Sequence, residues 1–94
     1  MTVLRTMIAG ATLVLSGAAA SASELEIRPV TDNVYALVGG KEQRSPDNLA
    51  NNATFGVVVT DEGVVLIDPG GSRKGAEAID AAISTISDKP VRYV

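Results

Sequence analysis

The chain has 94 residues, 8 basic and 11 acidic side chains, and a net charge of −3. No run of Lys and Arg forms a stripe, which argues against nucleic acid and anionic membranes as partners. It has no Cys and no His. That excludes a disulfide framework, Ser-His or Cys-His catalysis, and the usual nitrogen and sulfur ligands of zinc.

Residues 1–5 carry a single positive charge at Arg5, residues 7–20 are an apolar run, and Ala20-Ser21-Ala22 is a small-x-small cleavage site. This is the tripartite pattern of a secretory signal peptide, expected to occupy residues 1–22 and to be cut near Ala22. The apolar run of about 14 residues is shorter than the ~20 that span a bilayer. The expectation is therefore an exported protein, periplasmic or secreted, with no stable membrane anchor. Residues 23–94 keep 7 of the basic and all 11 acidic residues, a net charge of about −4. Their only aromatics are Tyr35, Phe55 and Tyr93. A domain of this size buries only ~60% of its unfolded surface, so one partial domain is expected, with no second.

In chain order, Leu25 to Val30 alternates apolar and polar and predicts a short strand ending at Pro29. Thr31-Asp32-Asn33 is turn chemistry, and Val34 to Val38 is the strand that completes a hairpin. Gly39-Gly40 ends it. Residues 41–52 are polar, with Ser45-Pro46-Asp47-Asn48 as a turn signal and Leu49 the only large apolar side chain. They read as a mobile surface loop, either functional or a solvated hairpin tip.

Residues 53–60 predict a strand with Phe55, Val57 and Val59 on one face. Asp61-Glu62-Gly63 is a hairpin turn, and Val64-Val65-Leu66-Ile67 is an apolar run that reads as a strand buried on both sides. Residues 72–86 predict a helix with Ser72 as N-cap. Ala76, Ile79, Ala82, Ile83 and Ile86 form its apolar stripe. Asp88-Lys89-Pro90 stops it, and residues 91–94 begin a strand reached by a crossover.

The order is ββ, loop, ββ, α, β, a mixed α+β or α/β class. Strands apolar on both faces need cover on both, and one helix supplies a single layer.

Asp68 is the most informative polar residue. It follows the apolar strand and precedes Pro69-Gly70-Gly71, at the carboxyl end of a strand, where open α/β sheets place their ligand crevice. It reads either as a site-rim acid or as a cap of the strand-to-helix turn. Gly70-Gly71 lacks the spacing of a dinucleotide fingerprint or a P-loop. Arg73-Lys74 at the helix start reads as a solvated pair or an anion contact, and Asn52-Ala53-Thr54 as a sequon that enters a strand.

Asn33-Val34-Tyr35-Ala36-Leu37, the stretch from Asn52 through Phe55-Gly56-Val57-Val58-Val59-Thr60-Asp61-Glu62-Gly63-Val64-Val65-Leu66-Ile67-Asp68-Pro69-Gly70, and Lys89-Pro90-Val91-Arg92-Tyr93-Val94 together resemble the N-terminal part of the metallo-β-lactamase-fold hydrolases. The resemblance covers nearly all of residues 23–94 and is strongest from Asn52 to Gly70. It is most like the exported, periplasmic zinc metallohydrolases of that superfamily.

The resemblance implies half of an αββα sandwich, a small-molecule substrate, and a zinc centre of one or two ions in the full-length family. In that family the strand matching residues 90–94 runs into a His-x-His-x-Asp-His motif. By the same resemblance, Asp68 is an acid beneath the metal site and outside its ligand set, Gly70, Gly71 and Asn52 are candidates for the site rim, and the loop 41–52 flanks the substrate cleft. With neither His nor Cys, the chain is expected to hold no zinc and to be inactive, an N-terminal fragment of such a hydrolase. The alternative is a small exported binding module that self-associates through an uncovered sheet face.

Overall fold

A computed structural model describes residues 25–94; the signal-peptide expectation for residues 1–22 lies outside them. The elements are β1 (Glu26–Thr31), β2 (Val34–Val38), β3 (Thr54–Thr60), β4 (Gly63–Ile67), α1 (Arg73–Ser84) and β5 (Val91–Tyr93). They form one five-stranded mixed sheet, in the order β1-β2-β3-β4-β5, with one helix. The first three pairings are antiparallel; β4 and β5 are parallel across α1.

Alternation along the strands sends one set of side chains to the helix. Tyr35 faces Val57, Leu37 faces Phe55, Val57 faces Leu66 and Val59 faces Val64 across the ladders. Leu37, Phe55, Val57, Val64 and Leu66 are buried there with Ile79 and Ile83 of α1, and Tyr35, Val59, Ala82, Ile86 and Val91 pack around them. The other parity places Val34, Ala36, Val38, Gly56, Val58, Val65 and Ile67 on the opposite face. No element among the described residues covers that face, and Ile67 is 57% exposed. The reading of β4 as buried on both sides is therefore corrected: Val64 and Leu66 are buried, while Val65 is half-buried and Ile67 exposed, because the single helix lies on one side only.

The expected end of β1 at Pro29 is also corrected. The strand runs on to Thr31, with a register shift between Pro29 and Thr31. An outer strand tolerates proline, since only one of its edges carries ladder bonds. On the open face at this edge, Arg28 pairs with Glu26 at 2.9 Å. Arg28 lowers the Glu26 pKa below 4.5, first through the hydrogen bond and then through its charge. A lowered folded-state pKa favours folding above the ordinary Glu range, and the contribution is lost as pH falls through the folded value. Exposure keeps it small.

The β3–β4 hairpin turns at Gly63, φ +140°, where any Cβ would collide with Arg92 and the Pro90 carbonyl. Ser72 caps α1 by accepting from the Gly75 amide at 2.9 Å. The buried positions of the helix are Gly75, Ile79 and Ile83. Ala76, expected in the stripe, is exposed, because the first turn presents Gly75 inward. Lys89 Nζ donates to the Thr60 carbonyl at 2.8 Å, tying the segment after α1 to the β3–β4 hairpin.

Candidate functional site

The turn after β4 carries backbone strain. Asp68 has φ +73° and Gly70 φ +86°. A left-handed conformation is unfavourable for any residue with a Cβ, and Asp tolerates it because its short side chain bonds locally. Here the Asp68 carboxylate accepts from the Gly70 amide at 3.0 Å. The side chain thus does cap the turn, while its backbone sits where strain collects at functional sites. Asp68 is exposed, at the carboxyl end of β4 and beside its parallel neighbour β5. Replacement by Asn keeps both the acceptor and the tolerance for positive φ, and should leave stability within about 0.5 kcal/mol, whereas Ala loses both and should cost about 1–2 kcal/mol. Thermal melting of the two variants checks this; equal losses would mean that the charge, not the local geometry, holds the turn.

The loop between β2 and β3 lies at the surface as expected, with residues 41–44, 46 and 47 exposed, but its second half is docked rather than solvated. Its base is closed by the Gly39 amide on the Ala53 carbonyl at 2.8 Å. Asn48 is 5% exposed and takes the place of a missing ladder: its Oδ1 accepts from Ser45 N and Ala50 N, and its Nδ2 donates to the Gln43 carbonyl. Leu49 and Ala50 then turn through positive φ, +57° and +62°. That brings the Leu49 carbonyl to the Ser72 hydroxyl, which donates to it at 2.6 Å. Asn51, 2% exposed, donates from Nδ2 to the Gly75 carbonyl at 3.0 Å. The loop is thereby docked on the first turn of α1.

Of the sequence candidates, the structure brings Gly70 and Gly71 against this loop. A Cβ on Gly70 would lie 3.0 Å from Asn51 Oδ1, and one on Gly71 3.3 Å from the Ala50 Cβ. Asn52 does not join them: its Nδ2 donates to the Glu42 carbonyl at 3.1 Å, within its own loop. The residue that reaches the turn is its neighbour Asn51, which the sequence reading passed over. Its Oδ1 is buried without a hydrogen-bond partner among the described residues, a costly state for an amide oxygen. No local signal marked it: Ala50 carries a Cβ, and its positive φ of +62° is not what an alanine leads one to expect.

Among the described residues no three His, Cys, Asp or Glu side chains converge on a point. A catalytic zinc takes three protein ligands and a water. The residues present do not fit one: Asp68 is a lone carboxylate bonded to its own turn. No metal-dependent step can be derived from this chain.

No family model, curated protein or solved structure matches the chain.

Proposed function

We propose that residues 23–94 are the N-terminal part of an exported zinc-dependent hydrolase of the metallo-β-lactamase fold, with the ligands of one or two zinc ions supplied by residues beyond this sequence. The observation that carries it is Asp68, an acid held at φ +73° at the carboxyl end of β4, beside parallel β5 and next to a docked loop. The apolar open face of the sheet supports the same reading, since the second layer of an αββα sandwich covers such a face. The substrate is a small molecule, and the loop 41–52 borders its cleft. Asp68, Gly70 and Gly71 shape the floor by backbone geometry; the chain by itself hydrolyses nothing.

The test is the coding DNA after the Val94 codon. A His-x-His-x-Asp-His motif within the next few codons supports the reading; its absence in every frame overturns it. A second expectation concerns the purified protein. Residues 23–94 loaded with zinc and desalted should retain less than about 0.1 equivalent by elemental analysis, since tight zinc binding requires a ligand set this chain lacks. A stoichiometric ion would mean a site built from carboxylates alone.

A second reading is favoured by one feature of the open face. Its charges at the β1 edge, Glu26 and Arg28, neutralise each other, so two copies meeting there through Val58, Val65 and Ile67 face no repulsion. In that case the chain is a non-catalytic module that self-associates. A sedimentation measurement separates the two: a dimer with a cooperative melt favours the module, and a monomer or an aggregate favours the hydrolase part.

A further inference from the structure

The docked loop and the start of α1 border an open groove of about 660 Å³. Arg44, Arg73 and Lys74 line it together with Pro46, Leu49 and Ala50. Its surface is mostly apolar, and its polar margin is cationic. The chain carries a net negative charge, yet three of its cations gather here.

Among the described residues none of the three has a carboxylate within 4.0 Å, and the only ion pair there is Arg28–Glu26. Glu42 and Asp47 of the same loop stay outside that distance. The first turn of α1 holds no acidic residue, although acidic side chains are what the positive end of a helix favours. Arg73 and Lys74 do the opposite. Arg44 adds to them from far along the chain: its guanidinium lies over Gly71, where a Cβ would come within 3.2 Å of Cζ. Local folding physics disfavours this accumulation, and an anion in the groove would relieve it.

We propose that this groove binds a small amphipathic anion, a carboxylate or phosphate on an apolar body. Arg44, Arg73 and Lys74 take the charged group, and Leu49, Ala50 and Pro46 receive the apolar part. A guanidinium fork suits planar or tetrahedral oxyanions. The groove is built wholly from described residues and needs no metal, so it stands or falls apart from the hydrolase reading.

The test is an amide-resolved NMR titration of residues 23–94 with 4-phenylbutyrate, its neutral amide 4-phenylbutyramide, and inorganic phosphate. Saturable shifts at Ala50, Gly71, Ser72 and Arg73 are expected with 4-phenylbutyrate. The amide should bind at least tenfold more weakly for want of the charge, and inorganic phosphate likewise for want of an apolar part. Arg44→Gln and Arg73→Gln, both at exposed positions, should each weaken 4-phenylbutyrate roughly tenfold, the size of a hydrogen bond to a charged group. Arg92→Gln, on β5, should change nothing.

Equal binding of acid and amide overturns the proposal. So do shifts confined to Val58, Val65 and Ile67, which would place the ligand on the open sheet face. The absence of saturable shifts in the groove overturns it as well. Binding only to vesicles containing phosphatidylserine, and not to the free anions, assigns the patch to a membrane surface and overturns it too.

Discussion

Gly75→Ala should destabilise this domain by about 1–3 kcal/mol, although the same exchange inside an ordinary helix gains ~1 kcal/mol. The reversal of sign comes from the loop. A Cβ on Gly75 would collide with the Leu49 carbonyl and come within 2.6 Å of Asn51 Oδ1 and 2.9 Å of Ser72 Oγ. All three residues take part in the docking of the loop: the Ser72 hydroxyl donates to the Leu49 carbonyl, and Asn51 Nδ2 to the Gly75 carbonyl. None is the free end of a long side chain that could swing away. The helix must therefore lift, or the loop must leave. Losing the loop forfeits both hydrogen bonds, each worth ~1 kcal/mol, and wets Asn48 and Asn51. Urea titration in sucrose, which strengthens the native baseline, measures the difference. A neutral or stabilised Gly75→Ala would show that the loop does not bear on the helix in solution. Gly75→Val should be worse still, by overpacking and by β-branching in a helix.

The second large effect is a contrast between adjacent residues. Val57→Lys should abolish the fold, and Val58→Lys should cost less than about 1 kcal/mol. Val57 is fully buried between Leu37, Phe55, Leu66 and the helix, and an unpaired ammonium there costs several kcal/mol, comparable with the whole stability of a small domain. Val58 points to the open face and is only half-buried, so a lysine reaches water along its own stem. Circular dichroism and amide dispersion distinguish the outcomes. The contrast also separates the functional readings. If the chain acts as a dimer through this face, Val58→Lys disperses it to monomers; within a longer hydrolase chain, the same change should destabilise as strongly as Val57→Lys. An unfolded Val58→Lys monomer would mean that the open face is covered by something other than these two.

The strands, both hairpins and the helix were legible because each rests on a short-range period or a turn signal. Val34 to Val38 and Phe55 to Val59 are short β-prone apolar runs bounded by turn residues, Gly63 marks the reversal, and Ile79 and Ile83 recur at helical spacing with Ser72 ahead of them. Burial was less legible. Val64 to Ile67 is apolar at every position, and such a run reads alike for a strand covered twice and for one whose second cover is lacking. The loop misled for the opposite reason. Its polarity suggested solvation, but Asn48 and Asn51 use their amides as backbone substitutes, and a buried asparagine bonded to main chain looks in sequence like an exposed one. Asn52 entered through the resemblance alone; only the turn through Leu49 and Ala50 decides which of the two adjacent amides faces the helix. Asp68 was found because a charged residue at the end of an apolar strand interrupts the pattern; its positive φ was not predictable from spacing.

The sheet order follows the sequence order without exception, β1 to β5. Each strand therefore finds its partner already made as the chain emerges, although the loop 39–53 and the crossover through α1 must close before β3 and β5 can pair. Assembly can proceed as a zipper from the amino end, with α1 locking the last pairing. The apolar face that remains open would be the late-maturing surface of the nascent chain, the part most in need of a holding chaperone. A nascent chain held on the ribosome by a long flexible tether after Val94 should show β2–β3–β4 amides already protected from exchange while that face still binds hydrophobic dyes.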